Sequence, residues 1–195
     1  MSIQKRPIAP GRKKNRIYRS REYLTLDEVK RMIDVAQLRG RTPVRDQALL
    51  LLMFRHGLRA SEAAKLRWDA VMLKERTIAI TRCKKSESGT HPLQADELDM
   101  LGRLKGCGSG QYLFPSQRRE YISTSGISKV VQQCGELAEL PFKVHPHMLR
   151  HACGYHLANQ GLDTRLIQDW LGHRNIQHTV RFTKLNSERF QVIQW

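Results

Sequence analysis

Apolar side chains recur every three or four positions along most of this chain, and the period shortens to two in one stretch. Val29, Met32, Ile33 and Ala36 form the first stripe, just after the Thr25/Glu28 pairing of a helix capping box. Order is therefore expected to begin at Tyr23-Leu24-Thr25. A second helix is predicted over about 43–55, because Pro43 suits its first turn, Leu49 to Phe54 form an apolar block and Gly57 ends it. A third, over 60–67, packs through Ala63, Ala64 and Leu66. From Ala70 the pattern changes. Residues 77–82 alternate and are β-branched, His91-Pro92-Leu93 closes another extended piece, and the polar Cys83–Gly89 stretch between them reads as a turn. Residues 70–93 are thus predicted to form a three-stranded meander. Helices follow at about 94–104 and 125–138, separated by a Gly-rich loop and the strand-like Tyr112-Leu113-Phe114. Next come a helix carrying His147 and Arg150, one at 163–171 and a short segment at 176–184. The fold class expected is mainly α with a small three-stranded antiparallel sheet.

At 195 residues the chain is about one domain, and 40% apolar content suffices for a core although the mean hydropathy is −0.53. Lysine and arginine outnumber the acids 34 to 18, giving a net charge of +16. An excess of that size speaks of partners, and a phosphate backbone is the commonest, with an anionic membrane surface second. No apolar run reaches the length of a bilayer span, and the basic N-terminus lacks the apolar core of a secretory signal. The cysteines at 83, 107, 134 and 153 show no C-x-x-C spacing, so reduced thiols in the cytoplasm are expected rather than disulfides or zinc. Lys5, Arg6, Arg12, Lys13, Lys14, Arg16, Arg19 and Arg21 stand without an acid among them, beside Pro7, Pro10 and Gly11. Such a segment repels itself, so 1–22 is expected to be a flexible basic arm. It is either a solubilising tail or a DNA-grasping arm, and the charge of the remaining chain favours the second.

Breaking a phosphodiester without a metal requires positive charge on the non-bridging oxygens, a nucleophile, and an acid for the departing oxygen. Arginine suits the first task, since its planar fork binds two oxygens and keeps its proton. Arg59 lies beside the Gly57-Leu58 corner, and His147 and Arg150 share one helical turn. His173 follows Leu171-Gly172, and Lys84 and Lys85 lie in the polar turn. Taken singly, each of these reads as an ordinary surface or capping residue.

Together they resemble the tyrosine recombinase (phage integrase) family. Its C-terminal signature, H-x-L-R-H and then L-G-H, appears as His147-Met148-Leu149-Arg150-His151 and Leu171-Gly172-His173. Its upstream block appears as Gly57-Leu58-Arg59-Ala60-Ser61-Glu62, and its hairpin lysine matches Lys84 with Pro92-Leu93 downstream. The similarity covers about 23–190, and the wording HPHMLRHACGY, DTRLIQD and LGHRNI is most like the small members that invert fimbrial promoter segments. The resemblance implies an integrase-type catalytic domain over 23–195, with a C-terminal tail from about 183. It implies site-specific DNA recombination, here inversion, in which a tyrosine forms a 3′-phosphotyrosyl link and frees a 5′-hydroxyl. By position, Arg59 and Arg150 would clamp the phosphate and Lys84 would protonate the 5′ oxygen, with Lys85 as its fallback. His147 would exchange the proton and His173 would hydrogen-bond a non-bridging oxygen. Glu62 and His151 would stand behind them, Glu62 holding a basic partner. No metal or cofactor is implied. The partners implied are double-stranded DNA with inverted-repeat sites and further copies of the chain, as a homodimer or homotetramer assembled on DNA. The setting implied is the bacterial cytoplasm, at the nucleoid.

One position departs from the pattern. Where the tyrosine is expected, nine residues after His173, the chain has Phe182. Phenylalanine keeps the ring and removes the only oxygen, so the chain as written is expected to bind without cutting. Tyr155 fits no family spacing and is expected to pack. Either the residue was exchanged deliberately or the protein is a natural pseudoenzyme acting as a DNA-binding regulator. Retention of every other site residue favours exchange. The His147/His151 pair also has a zinc-like i,i+4 spacing, but Arg150 lies between them and no glutamate follows His147, so no metal is expected. Phe190, Val192, Ile193 and Trp195 give the tail an apolar side that either docks on a neighbour or folds back.

Overall fold

A computed structural model describes residues 22–83, 86–108, 110–116 and 120–184. The N-terminal arm, with Lys5, Arg6, Arg12, Lys13, Lys14, Arg16 and Arg19, lies outside the described residues, as do Lys84, Lys85 and the tail from 185. The elements are α1 (Leu26–Ala36), α2 (Pro43–Arg55), α3 (Ala60–Ala64), β1 (Val71–Met72), β2 (Thr77–Ile80), β3 (Gly89–Pro92), α4 (Ala95–Gly106), α5 (Thr124–Leu137), α6 (Pro146–Asn159), α7 (Thr164–Leu171) and α8 (Gln177–Lys184). The strands form one antiparallel sheet in the order β1-β2-β3, with Ile78 opposite His91 in the second ladder.

Helix α1 starts as its capping box requires. The Glu28 amide donates to Thr25 Oγ1, and the Thr25 amide donates to Glu28 Oε2. Helix α2 is the centre of the core, with every residue from Asp46 to Phe54 buried, and it packs against α1, α4 and α6. A helix buried all round cannot show an amphipathic stripe, which is why its sequence reads as a block. It stops at Gly57, whose φ of +58° is a left-handed value that glycine adopts without strain.

Two boundaries differ from the sequence expectation. Helix α3 ends at Ala64 rather than near 67, because the chain turns away to pair with the strand-like piece. Trp68 donates to the Gln111 carbonyl and Leu113 to that of Leu66, around an Arg67–Tyr112 bridge. Strand β2 leaves its ladder at Ile80, and Arg82 turns its side chain inward.

Beneath the sheet lies a buried polar cluster. His56 Nδ1 is 3.1 Å from His91 Nδ1, His56 Nε2 is 2.9 Å from Glu97 Oε1, and the His91 ring lies 4.0 Å from that of Trp170. Burial, and then the nearness of His56 and Arg82, lower His91 from 6.5 to about 3. His91 thus stays neutral when folded and takes a proton when unfolded. Its contribution is complete above 6.5 and is lost as pH falls towards about 3. Urea denaturation between pH 6.5 and 4.5 should show falling stability, and His91→Gln should flatten the slope by about 1 kcal/mol per pH unit. An unchanged slope would show that His91 does not titrate on unfolding.

Candidate functional site

Helix α2 ends on three carbonyls. The Leu52, Met53 and Phe54 carbonyls are taken by the amides of His56, Leu58 and Gly57, which leaves those of Arg55, His56 and Gly57 for side chains from elsewhere. Trp170 Nε1 donates to Arg55 O at 2.9 Å. Arg82 Nη2 donates to His56 O at 2.9 Å, and Arg82 and Arg150 both donate to Gly57 O. Arg150 also donates to Leu171 O at 2.6 Å, which ties α6 to the end of α7. A helix C-terminus carries partial negative charge, so guanidiniums are well placed there.

A carboxylate sits beneath them. Glu62 Oε1 is 2.6 Å from Arg59 Nη1, and Oε2 is 3.0 Å from Arg82 Nη1 and 4.0 Å from Arg150 Nη1. The Arg59 and Cys83 amides donate to the same carboxylate. Burial alone would raise the Glu62 carboxyl, but the Arg59 amide, the Arg82 charge, the Arg59 guanidinium and the Cys83 amide outweigh it and hold it near 2. Burial, and then Arg59 and Arg82, bring Arg150 down to about 9, still cationic at neutral pH. Three guanidiniums thus share one carboxylate, and the excess of two positive charges calls for an anion.

The Leu171-Gly172-His173 corner stands opposite. Gly172 has φ +65°, and a Cβ there would come within 2.4 Å of the Glu87 carbonyl and 3.0 Å of Arg82 Cγ. Glycine is required twice over, by conformation and by close approach. His173 Nδ1 is 2.9 Å from Thr179 Oγ1, leaving Nε2 for a ligand. Burial, and then Arg150 and Arg59, lower His173 to about 3. Arg59 and His173 line one open cleft of about 710 Å³, together with Ser86, Arg165, Arg174 and His178. A larger cleft of about 1040 Å³, between the 38–45 turn and α5, holds none of the residues singled out above.

His147 is exposed and meets His151 edge-on at 4.9 Å. Desolvation, then Arg150 and Arg59, lower His147 to about 4, so it is a neutral base at neutral pH. Burial and then Arg181 lower His151 to about 3, and the Arg181 guanidinium packs on its ring. Phe182 is 2% exposed. Its ring meets Tyr155 at 5.0 Å and His151 at 5.8 Å edge-on, and lies nearly parallel to that of His173 at 6.4 Å. A Cβ on Gly154 would come within 2.8 Å of the ring's para carbon, so the ring occupies a notch that only glycine leaves open. Tyr155 packs between Tyr23 and Phe182.

The structure therefore brings Arg59, Arg150, His147, His173, Glu62, His151 and Phe182 into one region. The sequence reading missed Arg82, a buried cation of the group, and the cleft residues Arg165, Arg174 and His178. One signal for Arg82 was available: it follows two inward isoleucines on an alternating strand, at Ile78 and Ile80, and so falls on the buried face.

A mainly helical domain with a three-stranded sheet, holding three arginines over a shared carboxylate beside a Leu-Gly-His corner, has the architecture of a tyrosine recombinase catalytic domain. The family model described as "Phage integrase family" matches residues 22–189, and the chain belongs to that family. The type 1 fimbriae regulatory protein FimE of Escherichia coli (strain K12) is 44% identical over 177 residues, covering 87% of this chain and 89% of FimE. The crystal structure of XerA recombinase superposes with a TM-score of 0.75 at 29% identity, over 87% of this chain and 62% of that one. XerH site-specific recombinase, solved bound to its difH substrate before cleavage, gives a TM-score of 0.74 at 21% identity, over 88% and 53%. The chain thus spans about six tenths or less of those two structures. No helix among the described residues is long and apolar enough to cross a membrane.

Glu62→Gln keeps the shape and removes the compensating charge beneath the guanidiniums. It should cost about 3–5 kcal/mol in urea denaturation, as breaking a buried pair does. Part of the loss should return with 50 mM (roughly a physiological ionic strength) inorganic phosphate, an anion able to replace the missing charge. A variant as stable as the parent would show the carboxylate to be dispensable.

Proposed function

We propose that this domain binds double-stranded DNA at inverted-repeat sites and carries the machinery of site-specific recombination, here inversion, lacking one oxygen. The observation that carries this is the excess of positive charge on three guanidiniums around one carboxylate, beside a cleft with a neutral imidazole and an aromatic ring. A phosphodiester, whose single charge is shared by two non-bridging oxygens, can accept hydrogen bonds from two guanidiniums at once.

In the proposed reaction Arg59 and Arg150 hold the non-bridging oxygens and stabilise the charge that gathers there. His173 donates to one of them through Nε2. His147, neutral before DNA arrives, accepts the proton of a hydroxyl at position 182. Lys84, with Lys85 as fallback, returns a proton to the departing 5′ oxygen. The link formed is a 3′-phosphotyrosyl ester, which conserves the bond energy and needs no cofactor. Phe182 has no hydroxyl to deprotonate, so the sequence stops after binding. The basic arm at 1–22 adds phosphate contacts, copies pair on DNA as dimers and tetramers, and the tail from about 183 docks between neighbours. The likeness to FimE and to XerH on its substrate supports this scheme. A DNA-binding regulator without chemistry is the second reading, favoured by Phe182 itself.

Two measurements test it. Phe182→Tyr, incubated with a nicked duplex whose short 5′ fragment is lost after cleavage, should give a covalent, protease-sensitive adduct that the Phe182 parent does not form. Absence of adduct with binding retained would favour the regulator. Binding of the parent should also weaken steeply with salt, by about 10³ between 50 and 200 mM if some six phosphates are neutralised. A flat dependence would sink the phosphate-clamp scheme.

A further inference from the structure

We propose that Arg82 is a positioning residue for the phosphate clamp, setting the relative placement of Arg59, Arg150 and the His173 corner. Its side chain is about 1% exposed and both terminal nitrogens are spent on acceptors within the protein. Nη1 reaches Gly57 O at 3.3 Å and Glu62 Oε2 at 3.0 Å, and Nη2 reaches His56 O at 2.9 Å and Trp170 O at 2.6 Å. With both terminal nitrogens committed to the protein and the side chain buried, it is not a catalytic residue.

Each acceptor leads to a different part of the site. Glu62 is the carboxylate that holds Arg59. Gly57 O is the carbonyl that also receives Arg150. Trp170 stands next to Leu171, whose carbonyl takes the second Arg150 nitrogen, and three residues before His173. The aliphatic stem of Arg82 also floors the corner, its Cγ lying 3.0 Å from where a Cβ on Gly172 would sit. Three elements far apart in sequence, at 56–62, 150 and 170–173, thus take their mutual spacing from one planar group. A planar five-donor fork can bridge acceptors on several sides at once, whereas an ammonium on a flexible stem cannot hold that geometry. Burying a third cation beside two others is unfavourable, since burial and Arg59 both oppose its charge, and that cost is consistent with a role other than filling space.

The inference rests on the proposed phosphate-binding role of the clamp, and the experiment separates the two. A duplex selected for binding from a random pool is prepared with single methylphosphonates, each removing one phosphate charge, walked across the half-site. The Phe182 protein as it stands should lose at least about tenfold in affinity at one step, the clamped phosphate. In Arg82→Lys, which keeps the charge and loses the fork, that penalty should shrink to under about threefold while neighbouring steps keep theirs. Val131→Ala, a core truncation in α5, controls for lost stability and should keep the parent's full penalty. If Arg82→Lys fails to fold, Arg82→Gln takes its place in the same assay. An Arg82 variant with the parent's penalty overturns the positioning role alone. A parent with no sensitive step overturns the phosphate-clamp reading and this inference with it.

Discussion

The C-terminal end of α2 dictates where the site can be. The helix is buried on every side, so its last carbonyls have no water to turn to, and leaving them unmet would cost about 1–3 kcal/mol each. The chain meets them with an indole from α7 and two guanidiniums, one from the segment after β2 and one from α6. Cations gathered there repel one another, and Glu62 answers only part of that repulsion. On the proposed reading, structural need and anion affinity coincide: the groups that finish the core are those that would draw a phosphate to the surface above it. Arg59 supplies the outward face of the arrangement, still about a quarter exposed while its carboxylate partner is sealed.

The imidazoles follow from that field. Desolvation, and then nearby cations, keep His147, His151 and His173 neutral at neutral pH. Neutral imidazole can accept a proton or offer one N–H, which is what transfer to and from a phosphodiester asks of it. An anion bound there would offset part of the surrounding positive charge and so make the same rings better bases.

Much of this was legible in the sequence, for reasons that differ by element. Helix α1 was readable because its capping box and stripe are local. The His147/Arg150 turn and the Leu171-Gly172-His173 corner were readable through their resemblance to a family signature, since each taken singly reads as an ordinary surface or capping feature. The early end of α3 was not, because the partner that draws the chain away, at 111–113, lies more than forty residues on. Arg82 escaped for a related reason. A basic residue leaving a strand towards a polar turn looks solvated, and its burial is decided by carbonyls of residues 56, 57 and 170. The His56–His91–Glu97 cluster was hidden in the same way, as three polar residues on three elements. Phe182 was legible as an anomaly, while the glycine notch that receives its ring was not.

The contact between Gly172 and the Glu87 carbonyl leaves a gap too small for a methyl group. Two loops separated by so little cannot shift independently: motion of the 86–88 turn towards the corner pushes on the backbone that carries His173. The 86–88 turn is therefore a stop against which the imidazole's backbone rests, and crowding from that side is felt at His173.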